Sequence, residues 1–345
     1  MANAPVNIIT SLVTLGVKYL KQENISSEES MITMLSLSGI VNLLDIKMLD
    51  IYQNVFTEAQ WECIVDEEKS MDINSYSGLN DESNKILNRL LALRNTDEIL
   101  EHIDEQKYLL SKSKQSGEQQ YAMLLIAEQI GENANEATKT SIDVNRSIFG
   151  LREQSNSFGR RMNLMLGIKY GKKRLEISSN EFKRSIASKD VVQKQQCKNL
   201  RTNSCIIQQI VTRYKINTSV MAMDFVGCFG CLYMLKKTEE QFYIAKLMAK
   251  LAIPYHFNQL GALKPTLNVL FQMKSFLIEQ ARHINEAMFE LDVGNTLPSL
   301  NLPTLSTASA STIGDTCNNL CCSDLYGFCL HSKHQIINCF KRTPS

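Results

Sequence analysis

A chain of 345 residues with 44% hydrophobic and 21% charged side chains can bury a substantial core, which excludes wholesale disorder. The formal net charge of +1 conceals an acidic block, residues 57–132, with 16 acids against 7 bases, and a basic block, residues 160–215, with 14 bases against 3 acids. Complementarity between such blocks within one fold is the expected use. With only 6 prolines and 15 glycines, long windows stay open to helix, and alternating β-branched runs are nearly absent. The fold class read from this is all-α: an elongated multi-helix bundle with a central heptad-patterned helix and a disordered C-terminal tail.

In chain order, Pro5–Gln22 reads as an amphipathic helix, with Ile8, Ile9, Leu12, Val13, Gly16, Tyr19 and Leu20 on one face. It lacks the Lys/Arg-rich polar face of a membrane-surface helix, so docking on the bundle is expected. Ser26 and Glu29 form a capping-box pair before a window, Met31–Phe56, that is apolar on most sides and reads as one buried helix. Thr57 and Gln60 repeat the signature before a helix carrying Trp61, Ile64 and Val65. Asp72–Asn80 reads as a loop. Helices follow over Ile86–Leu93 and Ile99–Leu110, separated near Asn95, with Thr96 or Asp97 as the expected cap.

Beyond the polar stretch Ser111–Gly117, apolar or small residues recur at seven-residue intervals: Met123, Ile130, Ala137, Val144, Leu151, Phe158 and Met165. Three residues before them lie Ala127, Ala134, Ser141, Ile148, Ser155 and Met162. This is an a/d seam, and it predicts a long coiled-coil-like helix packed along partner helices. Its small d residues bury little area, which favours a strut inside a bundle over a free dimer. A turn is expected at Leu166–Gly171, and a basic helix with Leu175, Phe182, Ile186 and Val192 after it.

Ile216–Leu235 is the most apolar window. Twenty residues suffice to cross a bilayer, but Asp224 sits near the middle, and a buried helix or one broken at Gly227 and Gly230 is favoured. Thr238 and Gln241 suggest a capped helix running to Ile253, and Pro265 fits the first turn of a final one. Leu297–Thr316 reads as a disordered linker. The domains drawn from this are an acidic helical region, 1–117, the heptad, basic and C-terminal helices, 118–293, and a linker with a Cys-rich tail, 294–345.

Candidate chemistry is sparse. Cys322, Cys329, His334 and Cys339 approach the ligand set of a zinc knuckle, but Tyr326 stands where its first cysteine belongs, so they are weak metal candidates. Acylation of Cys321 and Cys322, or free thiols, are the alternatives. Cys228 and Cys231 form a C-x-x-C in apolar surroundings, which reads as structural. Arg160, Arg161, Lys169, Lys172, Lys173 and Arg174 form a basic patch, and the scarcity of aromatics there disfavours nucleic acid. No phosphate-loop, dinucleotide or zinc-protease motif occurs, and no cofactor is implied.

These readings converge on a non-enzymatic, intracellular and cytoplasmic helical interaction or scaffold protein. Its partners would be other helical proteins or a second copy of itself. A second reading is a membrane-acting bundle on anionic lipid, built from the N-terminal helix, the 216–235 window and the basic block.

Overall fold

The computed structural model describes residues 7–93, 95–112, 117–134, 162–171, 173–183, 185–254 and 256–296. The N-terminal part is mostly helical, where its caps direct it. Asn7 accepts a hydrogen bond from the Thr10 amide at 3.0 Å and opens α1, Ile8–Leu20. Ser26 and Glu29 close a reciprocal capping box, at 3.1 and 2.8 Å, before α2, Ser27–Leu37. There the expected Met31–Phe56 helix breaks. Gly39, at φ 68°, turns the chain into the short strand β1, Ile40–Asn42. Asp45 then caps α3, Ile46–Val55, and the Thr57–Gln60 capping box starts α4, Glu58–Lys69.

After the loop come α5, Asp81–Ala92, α6, Thr96–Lys112, and α7, Glu118–Ala134. The Asp97 amide at the start of α6 donates to Asn95 Oδ1 at 3.0 Å, so Asn95 takes the capping role expected of Thr96 or Asp97.

The second half overturns the all-α, coiled-coil expectation. Five strands follow: β2, Met162–Tyr170; β3, Lys173–Lys183; β4, Ser219–Val226; β5, Phe229–Lys237; and β6, Tyr243–Ala252. With β1 they make one six-stranded mixed sheet in the order β1-β6-β5-β4-β3-β2. The basic segment through Phe182 is thus a hairpin, β2–β3, turning at Gly171 (φ 58°), and only its end from Lys189, with Val192, is helical. The apolar window 216–235 is the antiparallel pair β4–β5, joined by a tight turn between Val226 and Phe229 with Gly227 at φ 60°. The supposed Thr238–Gln241 cap is the β5–β6 turn, where the Thr238 amide donates to Phe242 O at 2.9 Å.

Between β3 and β4 runs α8, Lys189–Tyr214, a crossover that makes its flanking strands parallel neighbours. A 3₁₀ turn, Phe257–Ala262, leads into α9, Leu263–Thr296. Hydrogen bonds assign the layers. Asn199, Asn203 and Gln208 of α8 reach Asp224, Tyr233 and Lys237 on one face. On the other, Lys236 and Lys246 reach Glu67 and the carbonyls of Glu68 and Met71, beside the loop that touches α9 through Ser77 and Ser275.

Strands covered on both faces read as continuous apolar runs, which is why β4 and β5 resemble a buried helix in sequence. Helices α5, α6 and α7 gather around a second core, Leu87, Leu90, Ile99, Ile103, Met123, Leu124 and Ala127, closed by Leu263, Leu267 and Phe271 of α9.

Candidate functional site

The interface between α8 and the sheet is polar where an apolar seam would suffice. Asn203 is fully buried. Its Oδ1 accepts the Ser179 amide at 2.8 Å, and its Nδ2 reaches Ser179 O at 3.0 Å and Tyr233 Oη at 3.1 Å. Both backbone groups of Ser179 are therefore satisfied by a helix side chain. Nearby, Ser178 Oγ donates to Met221 O at 2.7 Å, and Asn180 Oδ1 accepts the Met223 amide at 2.8 Å. Ladder pairing of β3 with β4 covers only Glu181–Lys183 and Asp224–Val226, and the side chains bridge the strands upstream of it.

One turn N-terminal of Asn203, Asn199 Nδ2 donates to Asp224 Oδ1 at 2.8 Å. Asp224 stands opposite Glu181 on β3 and Cys231 on β5. Its Oδ2 is enclosed without a hydrogen-bond partner among the described residues, although the residue as a whole is half-buried. Burial, reinforced by the Glu181 charge, raises the Asp224 carboxyl to about 7 against the opposing bond from Asn199. Lys183 lies 3.9 Å from Glu181, two residues along the same strand. Cys231 is pushed up to about 12, first by burial and then by Asp224, and burial likewise raises the Tyr233 phenol well above its ordinary value.

A carboxyl titrating near neutrality beside a phenol and a thiol resembles acid–base machinery in composition. Access argues otherwise, because Tyr233 and Asn203 are 0% exposed, Asn199 1% and Glu181 2%. The cluster fastens helix to sheet. Among the described residues, no group of three or more His, Cys, Asp or Glu is placed to hold a metal ion.

At the far end of α8 the surface opens into a cleft of about 440 Å³. Gln208 and Thr212 line it from the helix, Lys215 and Asn217 from the connection to β4, and Lys237 and Thr238 from the end of β5. Gln208 Oε1 accepts from both Lys237 Nζ and Tyr243 Oη at 3.0 Å, while its Nε2 donates to Thr212 Oγ1 at 2.9 Å.

A third feature is apolar. Val13, Val17 and Leu20 recur at helical spacing on α1 and are 42%, 36% and 58% exposed. Leu37 of α2, 44% exposed, lies beside Gly16, where an added Cβ would sit 2.8 Å from Leu37 Cγ. The four make one outward apolar surface on the α1–α2 pair.

The residues singled out in the sequence scatter over this frame. Of the seam, Met123 is buried in the second core, and Ile130 falls within α7. Ala137, Val144, Leu151 and Phe158 lie outside the described residues. Met165 is on β2, so the seven-residue interval does not extend to it as a helix. Of the basic patch, Lys169 and Lys173 flank the β2–β3 turn, with Arg174 next along β3, while Arg160, Arg161 and Lys172 lie outside. Cys322, Cys329, His334 and Cys339 lie outside as well.

Several ion pairs of the two charged blocks run to residues outside them: Lys189 to Glu28, Lys173 to Asp292, and Glu67 to Lys236, each within 2.9 Å. Cys228 is buried and Cys231 half-buried at the β4–β5 turn, and neither is in a disulfide. No helix among the described residues is long and apolar enough to cross a membrane.

No family model matches the chain, and neither a curated protein nor a solved structure matches it.

Proposed function

We propose that the chain is a non-enzymatic interaction protein whose α1–α2 surface receives an amphipathic helix of a partner in a protein complex. The carrying observation is the exposed face of Val13, Val17, Leu20 and Leu37. Contiguous apolar surface on a folded domain marks a contact site more often than scattered single residues do. Lys21 follows Val17 by four residues, so a partner helix with acids flanking its apolar stripe fits the rim. Burial of the polar cluster beneath α8 favours a structural role for it, which supports a non-enzymatic reading. Reduced thiols at Cys63, Cys197, Cys205 and Cys231 suit a reducing, cytoplasmic setting.

The test is affinity purification with mass spectrometry on the wild type and on a Val17→Asp, Leu20→Asp double variant of unchanged circular dichroism. Stoichiometric partners lost only from the variant support the reading, and identical partner sets refute it. The same face suits a membrane-acting reading, which has lost its second element because 216–235 forms paired strands within the sheet. Co-sedimentation with anionic liposomes, abolished by the double variant, would transfer the assignment from protein to lipid.

A further inference from the structure

We infer that the cleft at the C-terminal end of α8 is a binding site for an oxyanion group, a phosphate or carboxylate carried by a small ligand. Lys237 anchors it. That residue is 7% exposed, yet among the described residues its ammonium has a single hydrogen-bond partner, the neutral Gln208 Oε1. A buried ammonium carries three donors and costs heavily unless it is paired. Here no carboxylate of the described residues lies within ion-pairing distance of it. Lys237 borders a cleft of about 440 Å³, within the volume range of small-molecule sites.

The donors around it converge. Thr212 Oγ1, on the lining, accepts from Gln208 Nε2 and so keeps a proton that it can donate to a ligand. Lys215, held at φ 59° where its backbone caps α8 onto Val211 O, places an exposed second ammonium on the rim, and Asn217 adds an amide. Gln208 is itself fixed from three sides, by Thr212, Lys237 and Tyr243, so Lys237 is positioned before any ligand arrives.

Two features oppose the anion. Glu239 is on the same lining, and the negative end of the α8 dipole is close. Glu239 and Lys215 are both exposed, are screened alike and offset each other, which leaves a dipole equivalent to about half a charge against the buried ammonium of Lys237. The net field in the cleft stays positive. The site is separate from the α1–α2 surface, and either assignment can fail without the other.

The experiment titrates the full chain with inorganic phosphate, sulfate and acetate, each against chloride at matched ionic strength, following the melting temperature and amide chemical shifts. At least one oxyanion is expected to saturate, with the largest shifts at residues 208–217 and 237–241. Lys237→Met, which keeps the apolar stem, should weaken that anion about tenfold or more, as losing a charged hydrogen bond does. Lys215→Ala should weaken it less, and Lys194→Ala, elsewhere on α8, should leave it unchanged. If Lys237→Met does not fold, Lys215→Ala and Asn217→Ala carry the test. Failure of all three anions to exceed the chloride control overturns the inference, and so does wild-type affinity in Lys237→Met or in both substitute variants.

Discussion

Glu181 and Asp224 stand opposite each other on the parallel strands β3 and β4, both facing α8, with one lysine, Lys183, at 3.9 Å from Glu181. Burial, with the Glu181 charge beside it, raises Asp224 to about 7. Its folded value lies above its unfolded one, so the folded state holds a proton that the unfolded state releases. The stabilisation is complete below about pH 4 and is lost as pH rises through about 7. Urea midpoints measured from pH 5 to 8 should fall by an amount equivalent to at most about 3 kcal/mol. Asp224→Asn, which keeps the acceptor for Asn199, should flatten that fall; a pH profile identical to wild type would exclude Asp224 as its source.

Asn203→Ala should be costly out of proportion to its size. It strips partners from the amide and carbonyl of Ser179 and from the Tyr233 hydroxyl at once. Each buried group left unsatisfied costs about 1–3 kcal/mol, so a loss of roughly 3 kcal/mol or more is expected by guanidinium titration. A change below about 1 kcal/mol would mean that water repairs the gap.

Gly227 turns β4 into β5 at φ 60°, and a Cβ there would lie 2.9 Å from Ser185 Cβ. Gly227→Ala combines left-handed strain with a clash and should cost about 2–4 kcal/mol in thermal or denaturant melts. Faster amide exchange should concentrate on β4, β5 and the residues around Ser185.

The outward residues of α1 behave in the opposite way. Val17→Asp and Leu20→Asp should shift stability by no more than about 0.5 kcal/mol each while raising solubility, because neither side chain is enclosed. A large loss of stability would show that this face is covered within the folded chain.

Sequence patterns disclosed what local hydrogen bonding dictates. The Ser26–Glu29 and Thr57–Gln60 capping boxes, the loop over Asp72–Asn80 and the helix after Pro265 all stand as read. They were legible because each depends on residues three or four apart. Strand pairing depends on partners tens of residues away, and here the usual marker is missing: β4 and β5 are helix-covered on both faces, so their apolar residues run on without alternation.

The Thr238–Gln241 signature misled for a related reason. Its side-chain spacing matches a cap, while Gln241 at φ 71° belongs to a hairpin turn. At the α8 interface, Asp224 stood out as an acid in an apolar window, but Asn199 and Asn203 did not. Their one available mark was a four-residue spacing beside Leu200, Ile206 and Ile207, placing amides on a face that otherwise reads as core. Lys237 had no mark, since a lysine at a strand end is ordinary until its burial is known.

Helix α9 carries Leu263, Leu267 and Phe271 in the small helical core and Met273, Phe276, Leu277, Ala281 and Ile284 in the core of the sheet. At 34 residues it is about 51 Å of continuous rod. Neither core can come apart while the rod stays whole without surrendering contacts along half of it. The two regions therefore share a fate in unfolding, and a load applied to α5–α7 is felt beneath β6 through a single stiff shaft.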